Sequence, residues 1–133
     1  MGDVDLVLSA NAVFYVAFAT RDVAKMETLW ARRSPVSCIH PGWQPLLGRD
    51  AVLASWRDIL SNPSSPPIRC TNPVVHLVGS AALVICTERF SSAELVATNV
   101  FVKEDRAWKL VHHQAGGVAR PSDEDAGDGE TLH

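Results

Sequence analysis

A chain of 133 residues, 47% hydrophobic and 20% charged, is the size of one domain of roughly 100–200 residues. It can bury a core without disulfide or metal staples. Its net charge of −3 divides unevenly: from Ala119 onward five acids (Asp123, Glu124, Asp125, Asp128, Glu130) face one base, Arg120, and residues 1–118 are left close to neutral. A neutral body lacks the basic stripe that nucleic acid requires. The expected organisation is therefore a domain over residues 1–118 and an acidic, disordered tail over 119–133. Leu6 to Ala19, the longest apolar stretch near the start, is broken by Ser9 and Asn11 and is too short for a bilayer, so no membrane partner is expected. Met1-Gly2-Asp3-Val4-Asp5 carries acids where a secretory leader carries bases. Cys38, Cys70 and Cys86 form an odd set without C-x-x-C spacing, which predicts reduced thiols in the cytoplasm.

In chain order, Asp5 to Ala19 reads as a helix. Leu6, Ala10, Val13, Phe14, Ala17 and Phe18 recur at three- and four-residue spacing, with Asp3 or Asp5 as cap. Asp22 caps a second, short helix carrying Val23, Met26, Leu29 and Trp30 on one face. Val36 to His40 follows as a short strand, Pro41 to Pro45 as a loop, and Gly48 to Leu60 as a third helix facing inward through Val52, Trp56, Ile59 and Leu60. The remainder is strand. Ile68 to Val78 is interrupted by Asn72-Pro73, which implies an edge or a bulge. Gly79-Ser80 turns into Ala81 to Phe90, then come Leu95 to Glu104, a turn at Asp105-Arg106, Ala107 to Ala115, and the closing Gly116-Gly117. Helices segregated from an antiparallel meander define an α+β fold.

An antiparallel sheet normally buries one face and wets the other. Here Leu83, Val84, Ile85 and Cys86 are apolar on both faces, as is Val96 to Val102 apart from Thr98 and Asn99. Three helices cover one face, and a second copy of the chain is the simplest cover for the other. A homodimer through Val84, Cys86, Val96, Val100 and Val102 is expected, with the strand register deciding which of these face out.

The pattern resembles the nuclear transport factor 2-like superfamily, and within it the SnoaL-like branch. The matching residues are Phe14-Tyr15-Val16-Ala17-Phe18 on the first helix, Asp22 and Leu29-Trp30 around the second, His40-Pro41-Gly42-Trp43, Gly48-Arg49 before the third, and Trp108 to His113 at the end. Asn72 to Gly79 is also similar to the association domain of calcium/calmodulin-dependent kinase II. The resemblance, over residues 5–117, implies a cone: a curved antiparallel sheet wrapped around a long helix, in the cystatin-like roll, enclosing an apolar pocket. It also implies a choice of function, because the superfamily contains isomerases, dehydratases, cyclases and oligomerising hubs.

His40 is the candidate base. It precedes a proline where the resemblance to ketosteroid isomerases implies a catalytic carboxylate, and it titrates near neutrality. The isomerases' helix-one tyrosine falls on Phe14, which donates nothing, while Tyr15 points about 100° away on the helix; an intact isomerase donor set is not expected. His112 and His113 must face opposite ways. With a two-residue turn at Asp105-Arg106, His112 lies opposite Asn99 and joins Gln114 beside Phe101 as convergent pocket polar groups. Either Glu88 or Arg89 faces the cavity: a four-residue loop pairs Glu88 with Ala97 and points it inward, where it forms an acid–base pair with His112, whereas a one-residue slip sends Arg89 inward. By the resemblance, Asn99 and Arg89 stand where the kinase association domain has pocket arginines. Tyr15, Trp30, Trp43 and Trp56 complete the expected pocket, Trp43 at its rim. No metal-ligand spacing, activated nucleophile or phosphate loop is present, so no cofactor is expected. The functional expectation is a small, mostly apolar ligand with cofactor-independent proton transfer, against a non-catalytic dimerisation or docking module.

Overall fold

The computed structural model describes residues 2–91 and 93–119. The acidic segment from Arg120 lies outside them. Helix α1 (Asp3–Thr20) and α2 (Val23–Leu29) are followed by strands β1 (Ser37–Ile39) and β2 (Leu46–Leu47), helix α3 (Arg49–Ser61), then β3 (Arg69–Val78), β4 (Ala81–Phe90), β5 (Ala93–Glu104) and β6 (Ala107–Gly117). The strands form one six-stranded sheet in the order β2-β1-β6-β5-β4-β3. It is antiparallel except where β1 runs parallel to β6. This is the α+β roll of three helices on a curved sheet, with β2 an added strand between the Pro41–Pro45 loop and α3.

Local chemistry sets the boundaries. Asp22 accepts the Lys25 backbone N–H at 2.9 Å and starts α2, as a cap should. Neither Asp3 nor Asp5 caps α1, whose N-cap is Gly2; both lie in the first turn, where their charge complements the helix dipole. The Gly79 turn needs φ of 58°, a region glycine enters without strain. β3 is an edge strand with a register break between Thr71 and Val74, where Asn72 sits at φ 55°, so the Asn72-Pro73 interruption is both edge and bulge.

Helix α1 is apolar nearly all round, the pattern of an enclosed helix. Its mean hydropathy of 1.3 over 18 residues is that of a membrane span. In the fold it is the central helix of the cone: Val7, Asn11, Phe14, Tyr15 and Ala17 are buried against the sheet and the other helices, while Val4, Leu6, Val13 and Val16 are partly exposed. Trp30, Trp56, Phe14, Phe101, Met26 and Leu110 are completely buried in the core, each large apolar side chain contributing roughly 1.5–3 kcal/mol.

The loop before β1 is held by one carboxylate. Glu104 accepts the backbone N–H groups of Arg32, Arg33 and Ser34 at 2.8–3.0 Å, and the Ser34 hydroxyl. These bonds hold its carboxyl down at about 2.

Two registers differ from the sequence expectation, with consequences for the site. The β4–β5 hairpin is tighter: Phe90 pairs with Ala93 and Glu88 with Leu95, not Ala97. A shift of two residues preserves parity, so Glu88 faces inward and Arg89 does not. On β6, Val100 pairs with His112 but Phe101 with Leu110, leaving Val111 as an extra residue. That bulge lies where Trp30 bridges Leu110 and β1 begins to pair at His112. It reverses the facing of everything after it. His113 and Ala115 therefore point inward, and His112 and Gln114 outward. The outer sheet face carries Val74, Ile85 and Val96 exposed and Leu83, Val100 and Val102 half-exposed, whereas Val84 and Cys86 are buried inside.

Candidate functional site

Between α1 and the open ends of β3, β4 and β5 lies a cleft of about 800 Å³, within the size range of small-molecule sites. Leu8, Val16, Ile68 and Phe90 give it apolar walls, Arg69 and Arg89 stand with Glu94 among its polar lining, and Asn11, Tyr15 and Cys70 also line it. Arg89 reaches Thr71 Oγ1 at 3.4 Å and Glu94 at 3.5 Å.

Beneath Asn11 and Tyr15 is a buried polar network. Tyr15 Oη donates to Glu88 Oε2 at 2.7 Å. Asn99 Nδ2 donates to Asn11 Oδ1 at 2.9 Å and to Tyr15 Oη at 3.2 Å. Asn99 Oδ1 lies 2.6 Å from His113 Nδ1. An amide oxygen only accepts, so His113 carries its proton on Nδ1 and turns a bare Nε2 toward Glu88, 3.9 Å away. The same accounting leaves Tyr15 as the one member that both lines the cleft and touches the acid. Its neighbour on the helix, Phe14, is buried too, edge-on to Tyr15 and Trp56. Because the sheet curves around α1, positions about 100° apart on the helix both face protein. Tyr15 therefore does not point away from the interior.

Burial sets the electrostatics. It pushes the Glu88 carboxyl up to about 6, against the pull of the Tyr15 hydrogen bond. His113 falls to about 3, chiefly through burial, with His40 and His112 adding repulsion. Desolvation, the Glu88 charge and Cys86 raise the Tyr15 phenol, which stays a neutral donor. At neutral pH the site thus holds a carboxylate on the edge of protonation, a neutral imidazole and a neutral phenol.

His40 is elsewhere. It is buried at the end of β1, its ring edge-on between Trp43 at 4.7 Å and Trp56 at 4.8 Å. Ser55 gives its proton to Val52 O at 2.7 Å, so His40 Nε2–H donates to Ser55 Oγ at 2.9 Å. Burial lowers its pKa to about 4. It does not line the cleft, and its link to the network is a ring contact with His113 at 6.5 Å.

Of the residues expected to form a pocket, Tyr15 and Arg89 line the cleft, and Asn99 stands one hydrogen bond behind it. Trp30, Trp56 and Phe101 are core; the buried Trp56 N–H has no hydrogen-bond partner among the described residues. Trp43 is half-exposed over His40. Gln114 is exposed on the outer face, and His112 binds Ser37 Oγ at 2.7 Å there. The acid–base pair is accordingly Glu88 with His113, not His112. Asn11 was missed altogether. Its signal was a buried polar residue one turn before Tyr15, on the same face of α1. Among the described residues no three metal-ligating side chains converge.

A curved sheet around a central helix, open at one end above a buried polar network, defines a cone-shaped pocket protein. The chain belongs to the SnoaL-like domain family, whose model matches residues 7–119. It is similar to a nuclear transport factor 2-like family protein from Streptomyces avermitilis, provisionally named a dehydratase: 36% identity, 89% of this chain and 97% of that one, TM-score 0.80. A Thiobacillus denitrificans protein, provisionally named a calcium/calmodulin-dependent protein kinase type II association domain, shares 30% identity over 82% of this chain and 92% of its own, TM-score 0.73. The S. rosetta hub of that kinase shares the fold at 23% identity over 89% of this chain and 98% of its own, TM-score 0.74. No curated protein matches the chain.

Proposed function

We propose that the chain binds a small, mostly apolar molecule in the cleft and moves a proton on it through Tyr15, backed by Glu88, in a cofactor-independent isomerisation, dehydration or cyclisation. The observation that carries this reading is the 2.7 Å bond from a cleft-lining phenol to a buried carboxylate whose pKa is near 6. A phenol that lines the cleft and donates to the carboxylate can relay a proton, taking one from the ligand as it passes its own to Glu88, and a carboxylate titrating near 6 can hold that proton and return it. The provisional dehydratase name of the S. avermitilis relative supports the reaction class. Three free cysteines favour a cytoplasmic setting.

The test is a metabolite-library thermal-shift screen on wild type, Tyr15→Phe and His40→Ala, each shift measured against that protein's own melting point. A hit whose shift shrinks in Tyr15→Phe and survives in His40→Ala supports the reading. A hit lost only in His40→Ala returns the base to His40. Equal shifts in all three remove both residues.

A second reading has its own observation. The outer sheet face presents exposed Val74, Ile85 and Val96 beside Leu83, Val100 and Val102, a contiguous apolar strip of the kind monomers seldom leave in water. A non-catalytic dimerisation or docking module would use that face alone. The association-domain relative favours it. Absence of any ligand for wild type, with a stable dimer, would select it.

A further inference from the structure

The bulge in β3 sets two cysteines side by side. Thr71 pairs with Thr87 and Val74 with Ile85, so Asn72 and Pro73 together oppose Cys86. Cys86 consequently has no regular inward neighbour on the edge strand. Cys70, opposite Glu88 on the same inner face, stands beside that place, and each thiol shifts the other's pKa. One face of α1 holds both sulfurs from above: Asn11 Nδ2 donates to Cys70 Sγ at 3.7 Å, and one turn later Tyr15 Oη lies 3.3 Å from Cys86 Sγ. Their exposures differ. Cys70 lines the cleft, whereas Cys86 is only 3% exposed and does not.

We propose that Cys70 and Cys86 are a reversible dithiol–disulfide pair, a modification site for hydrogen peroxide entering through the cleft. The Cys70 thiolate attacks the peroxide, the O–O bond breaks, and Cys70 becomes a sulfenic acid while the hydroxide leaving group takes up the thiol's proton as water. Cys86 sulfur then attacks Cys70 sulfur, the S–O bond breaks, and the second water carries off the Cys86 proton. Two thiols are oxidised and one peroxide is reduced to two waters; a dithiol reductant reverses the reaction. Access divides the roles into attacking and resolving thiol, since Cys70 lines the cleft and Cys86 lies beneath it; their interaction acts in the same sense, holding the Cys70 pKa down and pushing Cys86 up. Cys38 is the internal control, since it is fully buried and its thiol is pushed up to about 12 by burial. The inference stands on the thiols alone and does not depend on the ligand-binding reading.

The experiment treats the full chain with hydrogen peroxide under native conditions and reads intact mass and mapped peptides. The expected result is loss of two hydrogens within one chain, a Cys70–Cys86 linked peptide, reversal by dithiothreitol, and Cys38 still alkylatable after unfolding. In Cys86→Ser the reaction should stop at a Cys70 sulfenic acid trapped by dimedone. Oxidation that leaves Cys70 and Cys86 unlinked in wild type would overturn the proposal. Linkage through Cys38, or only between chains, would overturn it equally. The wild-type map decides the matter even if the variant fails to fold.

Discussion

Replacing Glu88 by glutamine should stabilise the protein at neutral pH while impairing its site. The Glu88 carboxyl moves from an ordinary 4.5 to about 6 on burial, and that value already includes the favourable Tyr15 hydrogen bond. At roughly 1.4 kcal/mol per unit, keeping it ionised in the fold at pH 7 costs about 2 kcal/mol. The folded state binds the proton more tightly than the unfolded chain, so this group's contribution is fully present below pH 4.5. It is lost as pH rises through about 6. The uncharged amide of E88Q copies the protonated acid and still accepts from Tyr15. Urea denaturation of wild type and E88Q from pH 4.5 to 7.5 should show equal stability at the acid end and an advantage of about 2 kcal/mol for E88Q at pH 7. With m of roughly 1–3 kcal/mol/M, the midpoint moves up by about 1 M. Taking the difference between the two proteins matters because His113 and His40, depressed to about 3 and about 4, act in the opposite sense. Their contribution is present above 6.5 and is lost as pH falls, in both proteins alike. If E88Q were less stable at pH 7, or the difference did not close on acidification, the assignment of a buried, strained carboxylate would be wrong.

Glu104→Gln removes a carboxylate that accepts three backbone N–H groups and turns an amide N–H₂ toward them; a loss of roughly 1–3 kcal/mol is expected in urea titrations at pH 7. That deficit should narrow as pH falls from 4.5 toward about 2, where the wild-type carboxylate itself protonates. On the outer face, light scattering at micromolar concentration should report twice the 14.4 kDa chain mass. Ile85→Lys, at the centre of the strip, should return it to the single-chain mass with the circular dichroism unchanged; a wild type that is already monomeric and does not aggregate would refute the covered-face argument.

Element order, the three helices and the edge position of β3 were legible in the sequence because each rests on local chemistry: apolar spacing in α1, the Asp22 cap, the Asn72-Pro73 break. The inward facing of Glu88 was legible only as an alternative, and was settled by a hairpin two residues tighter than the four-residue loop, which keeps the same parity. The choice between His112 and His113 was not legible. It turns on a single extra residue, Val111, inserted where Trp30 and β1 dock on the far edge of β6. Nothing within Ala107 to Gly117 announces that contact, because its cause lies about eighty residues earlier in the chain. The angle of Tyr15 to Phe14 and its place in the pocket were legible from the helix, whereas its bond to Glu88 was not, because it depends on a sheet that curves around the helix and buries both directions.

The network beneath the cleft is hard to explain as a device for stability. Asn11, Tyr15, Glu88, Asn99 and His113 occupy the centre of a small core, where apolar side chains of similar volume would pack without a desolvation cost. Their hydrogen bonds offset most of that cost, yet burial still holds the Glu88 carboxyl up at about 6, with His113 Nε2 3.9 Å from it. Glu88 lies one hydrogen bond from Tyr15, the member that reaches the cleft, and His113 lies two away, through Asn99. One proton on Glu88 removes the desolvation cost of its charge. A core built only to hold the fold has no use for a carboxylate held near neutrality by burial. A site that exchanges a proton with a molecule above Tyr15, as proposed, has one.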